Sequence, residues 1–294
     1  MNIFFCINNA YVRFAAVTIL SILENNQGRI NFYVLNCDIN EKAKKHLKCI
    51  IDRYSNASIE FVRVGVETFL DLKLNIEYIS LETYFRYIIA DLFPNMSKCL
   101  YLDADLIVNG DLRKLYDTDI DNFLCAGSSD MYVSDIKYAA TLGLAGLYIN
   151  AGVILFNLDA IRKEKIVPIL FENTKKMKDI IEYQDQDIIN ITFHGRMKEV
   201  DSIYNFASSN VAHEKHKRFH AIIIHYTGPI KPWSKKCRNG MRFVWRHYCD
   251  MYMNLWGGNV TCFEDNKLFD NFGFIQKITD YFKWVKYKSI KRLF

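Results

Sequence analysis

Two aspartates separated by one residue follow an apolar segment of strand length near the middle of the chain. Asp103 and Asp105 come directly after Cys99–Leu102, so two hard oxygen ligands stand where a strand is expected to end. Carboxylates in this position suit Mg²⁺ or Mn²⁺ bound to substrate phosphates, with a helix cap and surface charge as the alternative. The same spacing recurs at Asp117–Asp121 and Asp185–Asp187, but not directly after an apolar strand. We therefore expect a metal site at Asp103 and Asp105, and a solvated turn at Asp117–Asp121.

A histidine in the second half of the chain can complete such a site. His225 follows the apolar run Ile222–Ile224 and opens the segment HYTGPIKPW, which ends at Trp233. A lone histidine after a strand is more often structural, yet an imidazole can complete the coordination of Mn²⁺ that two carboxylates begin. Gly228 permits close backbone approach and Lys231 adds positive charge, as a diphosphate requires. The segment therefore indicates a loop that binds a metal ion and a diphosphate.

Apolar runs of strand length alternate with helical patterns along most of the chain. The strand-like runs are Ile3–Ile7, Ile30–Leu35, Ile59–Val64, Cys99–Leu102, Phe123–Ala126, Val153–Phe156 and Ala221–His225, and the helical patterns include Val12–Leu23 and Leu81–Leu92. This rhythm predicts an α/β fold with a mostly parallel sheet covered on both faces. Ligands of such sheets bind beyond the carboxyl ends of the strands. The first strand is not followed by Gly-x-Gly-x-x-Gly, and the chain has no Walker loop, which disfavours dinucleotide and P-loop sites.

The net charge of +5 is concentrated at the C-terminus. Residues 277–294 hold six cations and one acid, so the rest of the chain is neutral overall. A nucleic-acid-binding domain would spread its cations over a whole face, and we therefore exclude nucleic acid as a partner. A helix in this tail would place most of its apolar side chains on one side. Trp284 and Tyr287 would lie off that side. That apolar side comprises Ile278, Tyr281, Phe282, Val285 and Leu293.

The tail therefore has two interpretations. Apolar and aromatic side chains flanked by lysines are typical of an interfacial helix on an anionic membrane surface, and the alternative is a helix packed on the body. No run reaches the length of a membrane-spanning helix, and the N-terminus lacks the basic start of a signal peptide. Eight cysteines without a Cys-x-x-Cys pair are typical of a reducing compartment. We expect a cytoplasmic protein with a catalytic domain at 1–250 and a membrane-associating helical segment at 251–294.

Several short motifs together resemble glycosyltransferase family 8, the retaining GT-A enzymes that include bacterial lipopolysaccharide α-galactosyl- and α-glucosyltransferases. The resemblance covers essentially the whole chain. It is carried by FCINNAY near the start, TYFR at 83–86, YLDAD at 101–105, SD at 129–130, NAG at 150–152, YQDQD at 183–187 and HYTGPIKPW at 225–233. In haloacid-dehalogenase-type phosphatases the Asp-x-Asp motif lies close to the N-terminus, whereas here it follows about a hundred residues of chain. Its position favours the transferase.

The resemblance implies that the nucleotide part of a UDP-sugar binds near the first strand and the loop after His225. The matching residues are Asn8, Asn9 and Tyr11 for uracil and ribose, Asp103, Ala104 and Asp105 for the metal motif, His225 as the third metal ligand, and Gly228 and Lys231 for the diphosphate. Some relatives carry Asp in place of Asn8, and Asn8 can still accept from the uracil N–H through its amide oxygen. The implied cofactor is Mn²⁺, with Mg²⁺ as the alternative.

The resemblance also implies a group of residues around the donor sugar. These are Arg86, Asp130, Asn150, Asp185 and Gln186. The residues alone leave other roles open, because Arg86 can pack within the Leu81–Leu92 helix and Asp185 is a plausible helix N-cap. In the family, Gln186 would lie against the anomeric carbon, and the acceptor would enter on the side from which the diphosphate leaves.

The sequence thus predicts a metal-dependent retaining hexosyltransferase. It would move galactose or glucose from a UDP-sugar to a saccharide acceptor such as the lipopolysaccharide core or outer oligosaccharide. Its place would be the inner face of the bacterial cytoplasmic membrane. The alternatives are a protein of the same fold that binds UDP-sugar or glycan without turnover, and a haloacid-type phosphatase.

Overall fold

The computed structural model of the protein describes residues 1–72, 74, 76, 80–135, 138–255 and 274–292. The strands are β1 (Asn2–Cys6), β2 (Ile30–Asn36), β3 (Ala57–Arg63), β4 (Lys98–Leu102), β5 (Leu106–Val108), β6 (Cys125–Ser129), β7 (Ile149–Asn157), β8 (Met197–Glu199) and β9 (Ile223–His225). The α-helices are α1 (Val12–Asn25), α2 (Glu41–Ile51), α3 (Ile89–Leu92), α4 (Arg113–Tyr116), α5 (Met131–Asp135), α6 (Tyr138–Thr141), α7 (Leu158–Lys163), α8 (Ile166–Met177), α9 (Asp185–Thr192), α10 (Ser208–His213), α11 (Arg242–Leu255) and α12 (Phe274–Lys291). Short 3₁₀ helices cover Asn9–Tyr11, Leu81–Ile88, Ser202–Asn205 and Lys215–Phe219.

Seven of the described strands form one mixed sheet in the order β3-β2-β1-β4-β7-β6-β8. Parallel pairing joins β1 to β2 and β4, β2 to β3, and β6 to β8, whereas β7 is antiparallel to β4 and β6. The reversed β7 brings its N-terminal end to the edge where its neighbours have their carboxyl ends. Residues 150–152, which we expected to precede a strand, therefore lie within β7 at the ligand-binding edge.

Strand β4 shows why both faces of the sheet are covered. Leu100 and Leu102 point into one hydrophobic core, and Cys99 and Tyr101 point into the other, as the two-residue period of a strand requires. All four side chains are buried. The first core contains α1 and α11, and the second contains α8 and α9. A strand buried on both faces reads as a continuous apolar run.

Strands β5 and β9 form a second, two-stranded sheet. Hydrogen bonds from polar side chains of helix α1 hold this sheet in place. Two polar residues interrupt the apolar sequence of α1, and both are buried. The hydroxyl of Thr18 donates to the carbonyls of Leu106, at 2.7 Å, and Ala104, at 3.0 Å. The hydroxyl of Ser21 accepts from the backbone N–H of Val108 at 3.0 Å. These bonds hold β5 and the turn before it against the helix.

The segment predicted as one helix at Leu81–Leu92 consists of two elements. A 3₁₀ helix covers Leu81–Ile88, and α3 continues from Ile89. In the 3₁₀ part, side chains three residues apart stand nearly above one another. This geometry aligns Thr83 with Arg86, so that both reach the same end of the sheet.

The C-terminal helix α12 packs on α11 through the two aromatic residues that did not fit the predicted apolar side. Trp284 and Tyr287 are buried, and Trp284 stacks on His247 with ring centroids 4.0 Å apart. The hydroxyl of Tyr287 accepts from Nδ2 of Asn109 at 3.0 Å. The predicted apolar side instead faces outwards, with exposed Ile278, Tyr281, Phe282 and Val285. Leu293 lies outside the described residues.

The two interpretations of the tail therefore describe opposite faces of one helix. Helix α11 runs through residue 250 to Leu255, so the predicted boundary between 1–250 and 251–294 falls inside a helix. The division into a catalytic domain and a membrane-associating segment stays a prediction. None of the described helices combines the length and the apolar character that crossing a bilayer requires.

Candidate active site

The three side chains that we assigned to a metal ion converge at the carboxyl edge of the sheet. Asp103 and Asp105 lie in the turn between β4 and β5, and β5 pairs with β9 so that Leu106 stands opposite His225. This register brings the imidazole to both carboxylates. Nε2 of His225 lies 3.2 Å from Oδ1 of Asp105 and 3.8 Å from Oδ2 of Asp103.

A divalent cation fits this cluster. One ligand atom from each of the three residues lies within 4.8 Å of the others. At Gly152 of β7, an added Cβ would lie 2.2 Å from Cε1 of His225 and 2.7 Å from Oδ2 of Asp103. Glycine therefore leaves open the space beside the ligands that any other residue would fill. Two carboxylates and one imidazole form a donor set suited to Mn²⁺, and oxygen-rich sites also accept Mg²⁺.

Lys231 reaches the cluster from the loop after β9. Its Nζ donates to Oδ2 of Asp105 and, at 3.2 Å, to the backbone carbonyl of Tyr226. Burial alone would raise the pKa of Asp105, but the charge of Lys231, together with the neighbouring ring of His225, holds that pKa well below its usual range. Burial alone would lower the pKa of Lys231, but Asp105 raises it above its usual value. The site therefore contains an anionic carboxylate beside a cationic lysine.

A buried ion pair lies on the other side of Asp103. Nε of Arg86 lies 3.0 Å from Oδ2 of Asp185, and Nη2 lies 3.3 Å from Oδ1 of Asp103. The hydroxyl of Thr83 donates to Oδ1 of Asp185 at 2.8 Å. Burial raises the pKa of Asp185 to about 6, because Arg86 and Thr83 offset only part of the desolvation. Arg86 thus links the predicted metal cluster to the predicted sugar-binding group.

Gln186 is held by both atoms of its amide. Its Oε1 accepts from the backbone N–H of Ala151 at 3.0 Å, and its Nε2 lies 3.2 Å from Oδ2 of Asp130. The same oxygen of Asp130 accepts from Nδ2 of Asn150 at 2.9 Å. One carboxylate therefore orients two amides at the cavity wall.

Asp187 holds the turn before α9. The alternative role of Asp185 as the N-cap of this helix is not the one that the structure shows. Oδ2 of Asp187 accepts from the hydroxyl of Tyr138 at 2.7 Å and from two backbone N–H groups of the turn, at 2.8 and 2.9 Å. Gln184 occupies the N-cap position with φ of +51°, and Asp185 is the first helical residue. The carboxylate of Asp185 turns instead to Arg86, because a buried guanidinium requires a charged partner more strongly than uncharged helix N–H groups do.

These groups line one cavity of about 680 Å³. The predicted site residues that line it are Asn8, Tyr11, Arg86, Asp103, Ala104, Asp105, Asp130, Asn150, Asp185, Gln186, His225, Gly228 and Lys231. Asn9 does not line it. The backbone N–H of Asn9 donates to Asp38 at 2.8 Å, and its side chain accepts from the N–H of Asn40 at 3.1 Å. Asn9 thus joins the loop after β1 to the loop after β2.

The sequence matches Glycosyl transferase family 8 over residues 2–237, which is most of the chain. The chain belongs to glycosyltransferase family 8. A protein of Haemophilus influenzae (strain ATCC 51907 / DSM 11121 / KW20 / Rd) that is named as a glycosyltransferase is 35% identical over 246 residues, covering 81% of this chain and 74% of that protein. Glycosyltransferase GlyB of Streptococcus pneumoniae serotype 4 is 32% identical over 264 residues, covering 84% of this chain and 61% of GlyB.

Solved structures agree with this family. The galactosyltransferase LgtC in complex with donor and acceptor sugar analogs has a TM-score of 0.78 at 29% identity, covering 90% of this chain and 98% of LgtC. An active-site mutant of LgtC, in which a glutamine is replaced by glutamate, has a TM-score of 0.80 at 28% identity. The match covers 88% of this chain and 99% of the LgtC mutant. The predicted α/β fold of GT-A type is confirmed. Membership of glycosyltransferase family 8 excludes the alternative of a haloacid-type phosphatase.

In this family 8 transferase, the loop after β9 borders the end of the cavity that Asn8 and Tyr11 line. Trp233 stacks on Phe14 of α1 with ring centroids 3.6 Å apart, and the ring of Tyr11 meets Trp233 edge-on at 6.5 Å. Oδ1 of Asn8 accepts from the backbone N–H of Tyr11 at 3.2 Å, which caps the 3₁₀ helix there. Gly228 adopts φ of +86°, a conformation that side chains disfavour.

Four buried side chains of the transferase site received no role in the sequence analysis. They are Thr83, Tyr101, Asp187 and Asn205. The first three lie inside the motifs that carry the family resemblance, so the motifs contained a signal for them. Asn205 lies in a segment without a chemical motif. Its position in the site follows from the tertiary structure alone.

Proposed function

We propose that the protein is a retaining, metal-dependent hexosyltransferase that moves galactose or glucose from a UDP-sugar to a saccharide acceptor. The observation that carries this proposal is the single cavity lined by the cluster of Asp103, Asp105 and His225 and by Asp130 and Gln186. Its volume of about 680 Å³ lies in the range of small-molecule sites, and both charged and apolar groups line it. The LgtC complex with donor and acceptor sugar analogs supports the assignment by analogy.

The nucleotide end is suited to a uridine diphosphate. Asn8 and Tyr11 would contact the base and ribose, and the positive charge of Lys231 would lie against the diphosphate. A divalent cation held by Asp103, Asp105 and His225 supplies charge neutralisation for a leaving diphosphate. The donor set favours Mn²⁺ over Mg²⁺ because it includes an imidazole.

The opposite end of the cavity is suited to a hexose. Asp130, Asn150 and Asp185 present oxygen and nitrogen atoms for sugar hydroxyls, and Arg86 balances the charge of Asp185. Gln186 is the only glutamine among the described residues that lines the cavity. Its amide is a poor nucleophile, so we assign retention to attack by the acceptor on the face from which the diphosphate leaves. The leaving phosphate oxygen would take the acceptor proton.

The test is release of UDP from UDP-glucose, UDP-galactose and their N-acetyl forms, with Mn²⁺, with Mg²⁺ and with a chelator. We expect turnover with one hexose donor, lost with the chelator and restored by Mn²⁺. Nuclear magnetic resonance of the product would show the α-configuration of the donor retained. Tight UDP-sugar binding without UDP release, over a panel of saccharide acceptors, would indicate a non-catalytic protein instead.

We further propose that the acceptor belongs to the lipopolysaccharide core or outer oligosaccharide, and that α12 holds the enzyme at the inner face of the bacterial cytoplasmic membrane. Tyr281 and Phe282 are 64% and 65% exposed, with Ile278 and Val285 beside them on the outward face. Exposed Lys283, Lys286 and Lys288 flank this apolar stripe. Aromatic and basic side chains on one helix face match an anionic lipid surface.

Vesicle binding tests this second proposal. The double substitution Tyr281→Ser/Phe282→Ser should lower binding to phosphatidylglycerol vesicles by about tenfold or more, because two aromatic rings no longer enter the interface. UDP release with soluble acceptors should stay unchanged. Ile180→Ser, at another exposed apolar residue, is the matched control. Equal vesicle binding by all three proteins would exclude α12 as the membrane contact.

A further inference from the structure

A buried asparagine connects the metal cluster to the sugar-binding group. Asn205 ends the 3₁₀ helix Ser202–Asn205 and is 2% exposed. Its Oδ1 lies 2.9 Å from Nδ1 of His225, and its Nδ2 lies 2.9 Å from Oδ1 of Asn150. One short side chain thus contacts a predicted metal ligand on one side and a predicted sugar ligand on the other.

The orientation of this amide follows from groups whose roles are unambiguous. Oδ1 of Asn150 accepts from the backbone N–H of Gly152 at 3.1 Å, and its Nδ2 donates to the carboxylate of Asp130 at 2.9 Å. A backbone N–H can only donate and an ionised carboxylate can only accept, so the amide of Asn150 has one favourable orientation. Asn205 must therefore direct its NH₂ at Asn150 and its Oδ1 at His225.

The tautomer of His225 follows in turn. Because Oδ1 of Asn205 is an acceptor, Nδ1 of His225 must carry the proton, and the lone pair of the neutral ring is then on Nε2. Nε2 lies 3.2 Å from Oδ1 of Asp105, which is also an acceptor. Two acceptors at this distance repel each other unless a cation bridges them, and Lys231 contacts the other oxygen of Asp105, Oδ2. The network therefore prepares Nε2 for a cation.

We propose that Asn205 is a positioning residue that sets the Nδ1–H tautomer of His225 and couples the metal cluster to Asn150. The proposal rests on the metal site of the proposed function. Partners on the far side of a metal-bound histidine fix its ring orientation and contribute to metal affinity. Here the partner is itself held by the sugar-binding side, so a displacement of Asn150 is transmitted to His225 through one amide.

The first test is the tautomer itself, measured on the metal-free protein by ¹⁵N chemical shifts of labelled histidine at a pH well above the usual histidine pKa. We expect a protonated Nδ1 and an unprotonated Nε2 for His225, assigned by comparison with His225→Gln. The Nε2–H tautomer would overturn the proposal. This measurement needs neither turnover nor metal, so its failure is distinct from failure of the proposed function, which would appear as absence of Mn²⁺ binding and of UDP release.

Two substitutions separate the two contacts of Asn205. Asn205→Ala removes both contacts, and Mn²⁺ affinity, measured from free Mn²⁺ by electron paramagnetic resonance with and without UDP, should fall about 10- to 100-fold. Asn205→Asp keeps an acceptor for Nδ1–H but cannot donate to Asn150. It should retain the tautomer and bind Mn²⁺ at least as tightly as the unchanged protein, while UDP release falls.

Asn26→Ala is the matched control, because Asn26 is equally buried and hydrogen-bonded but caps the end of α1. It should lower thermal stability without changing Mn²⁺ affinity. Mn²⁺ affinity unchanged in Asn205→Ala, or lowered as much in Asn205→Asp as in Asn205→Ala, would overturn the proposal. If Asn205→Ala does not fold, the tautomer measurement and Asn205→Asp still decide.

Discussion

Nε of Arg86 lies 3.0 Å from Oδ2 of Asp185, and both side chains are almost completely buried. The same guanidinium contacts Oδ1 of Asp103 at 3.3 Å and donates to the carbonyl of Ala151 at 2.5 Å. A single arginine therefore joins the proposed metal motif, β7 and the first turn of α9. This arrangement explains how motifs more than eighty residues apart in sequence form one wall of the cavity.

Removing this arginine should destabilise the fold. Arg86→Met leaves Asp185 as a buried charge without its cation, and we expect the free energy of unfolding to fall by about 3–5 kcal/mol. Adding Asp185→Leu should recover part of the loss, because the uncompensated charge is removed. The control Arg196→Met breaks the exposed pair with Glu164 and should cost less than about 1 kcal/mol. Urea unfolding measures all three, and no recovery in the double variant would contradict the pairing.

The metal assignment predicts a specific loss at Asp105. Asp105→Asn removes one anionic ligand, and metal-dependent UDP release should fall at least about 100-fold because charge neutralisation of the leaving group contributes several kcal/mol. Asp121→Asn is the control. Asp121 lies in an exposed turn, where its backbone N–H donates to the carboxylate of Asp119. Circular dichroism of both variants checks the fold. Unchanged turnover in Asp105→Asn would remove this residue from the metal site.

Gly152 offers a steric test of the same site. Gly152→Ala places a Cβ that would overlap His225 and Asp103, so Mn²⁺ affinity should fall at least about tenfold as these ligands are displaced. Gly240→Ala is the control, because its Cβ would meet only Val211 at 3.4 Å. Isothermal titration with Mn²⁺ and UDP measures the difference. Equal affinity in the two variants would mean that the space beside Gly152 is not the cation site.

Gln186 should act on the sugar and not on the nucleotide. Gln186→Ala removes the bonds to Ala151 and Asp130, so turnover should fall about 10- to 100-fold through misplacement of the donor sugar. The affinity for UDP should change less than about threefold. Steady-state kinetics and UDP titration measure the two quantities separately. Equal losses in both would contradict the placement of Gln186 at the sugar.

A buried histidine outside the site predicts acid sensitivity. His46 is 3% exposed, its Nε2 lies 2.5 Å from the hydroxyl of Tyr252, and burial lowers the pKa of His46 to about 4. Between pH 6.5 and 4 the unfolded chain binds a proton at this residue and the folded chain does not. The stability contributed by His46 is therefore complete above pH 6.5 and is lost as the pH falls through about 4.

The substitution His46→Gln measures this contribution. Glutamine stays neutral and can still bond to Tyr252, so the slope of unfolding free energy against pH should decrease in this range by up to about 1.4 kcal/mol per pH unit. Urea unfolding across the range gives the slope. Exposed His216→Gln is the control for loss of one histidine. An unchanged slope in His46→Gln would contradict the buried neutral ring.

Much of the fold was predictable because its signals are local. The alternation of apolar runs and helical patterns predicted the strands of an α/β sheet to within a few residues at most ends. The direction of β7 was not predictable, because an apolar run reads the same in either direction and its pairing is decided by the strands beside it. The 3₁₀ form of Leu81–Ile88 also depends on tertiary contacts, which align Thr83 and Arg86 with Asp185.

The tail shows the same limit of local patterns. The sequence predicted a helix with one apolar side, but the periodicity could not say which side packs on the body. The structure buries Trp284, which stacks on His247, and Tyr287, whose hydroxyl accepts from Asn109, and it leaves Tyr281 and Phe282 exposed. Packing therefore selected the face on which Trp284 gains a ring contact and Tyr287 gains a hydrogen bond.

The sequence by itself determined which residues can do chemistry, because Asp103, Asp105 and His225 each stand at the end of an apolar strand. Only the tertiary structure decided how they are oriented. Asn9 faces a neighbouring loop and not the cavity, and Asp185 pairs with Arg86 and not with a helix terminus. Strand ends follow from local residue patterns, whereas a hydrogen-bond partner is chosen by whichever distant group the fold brings within reach.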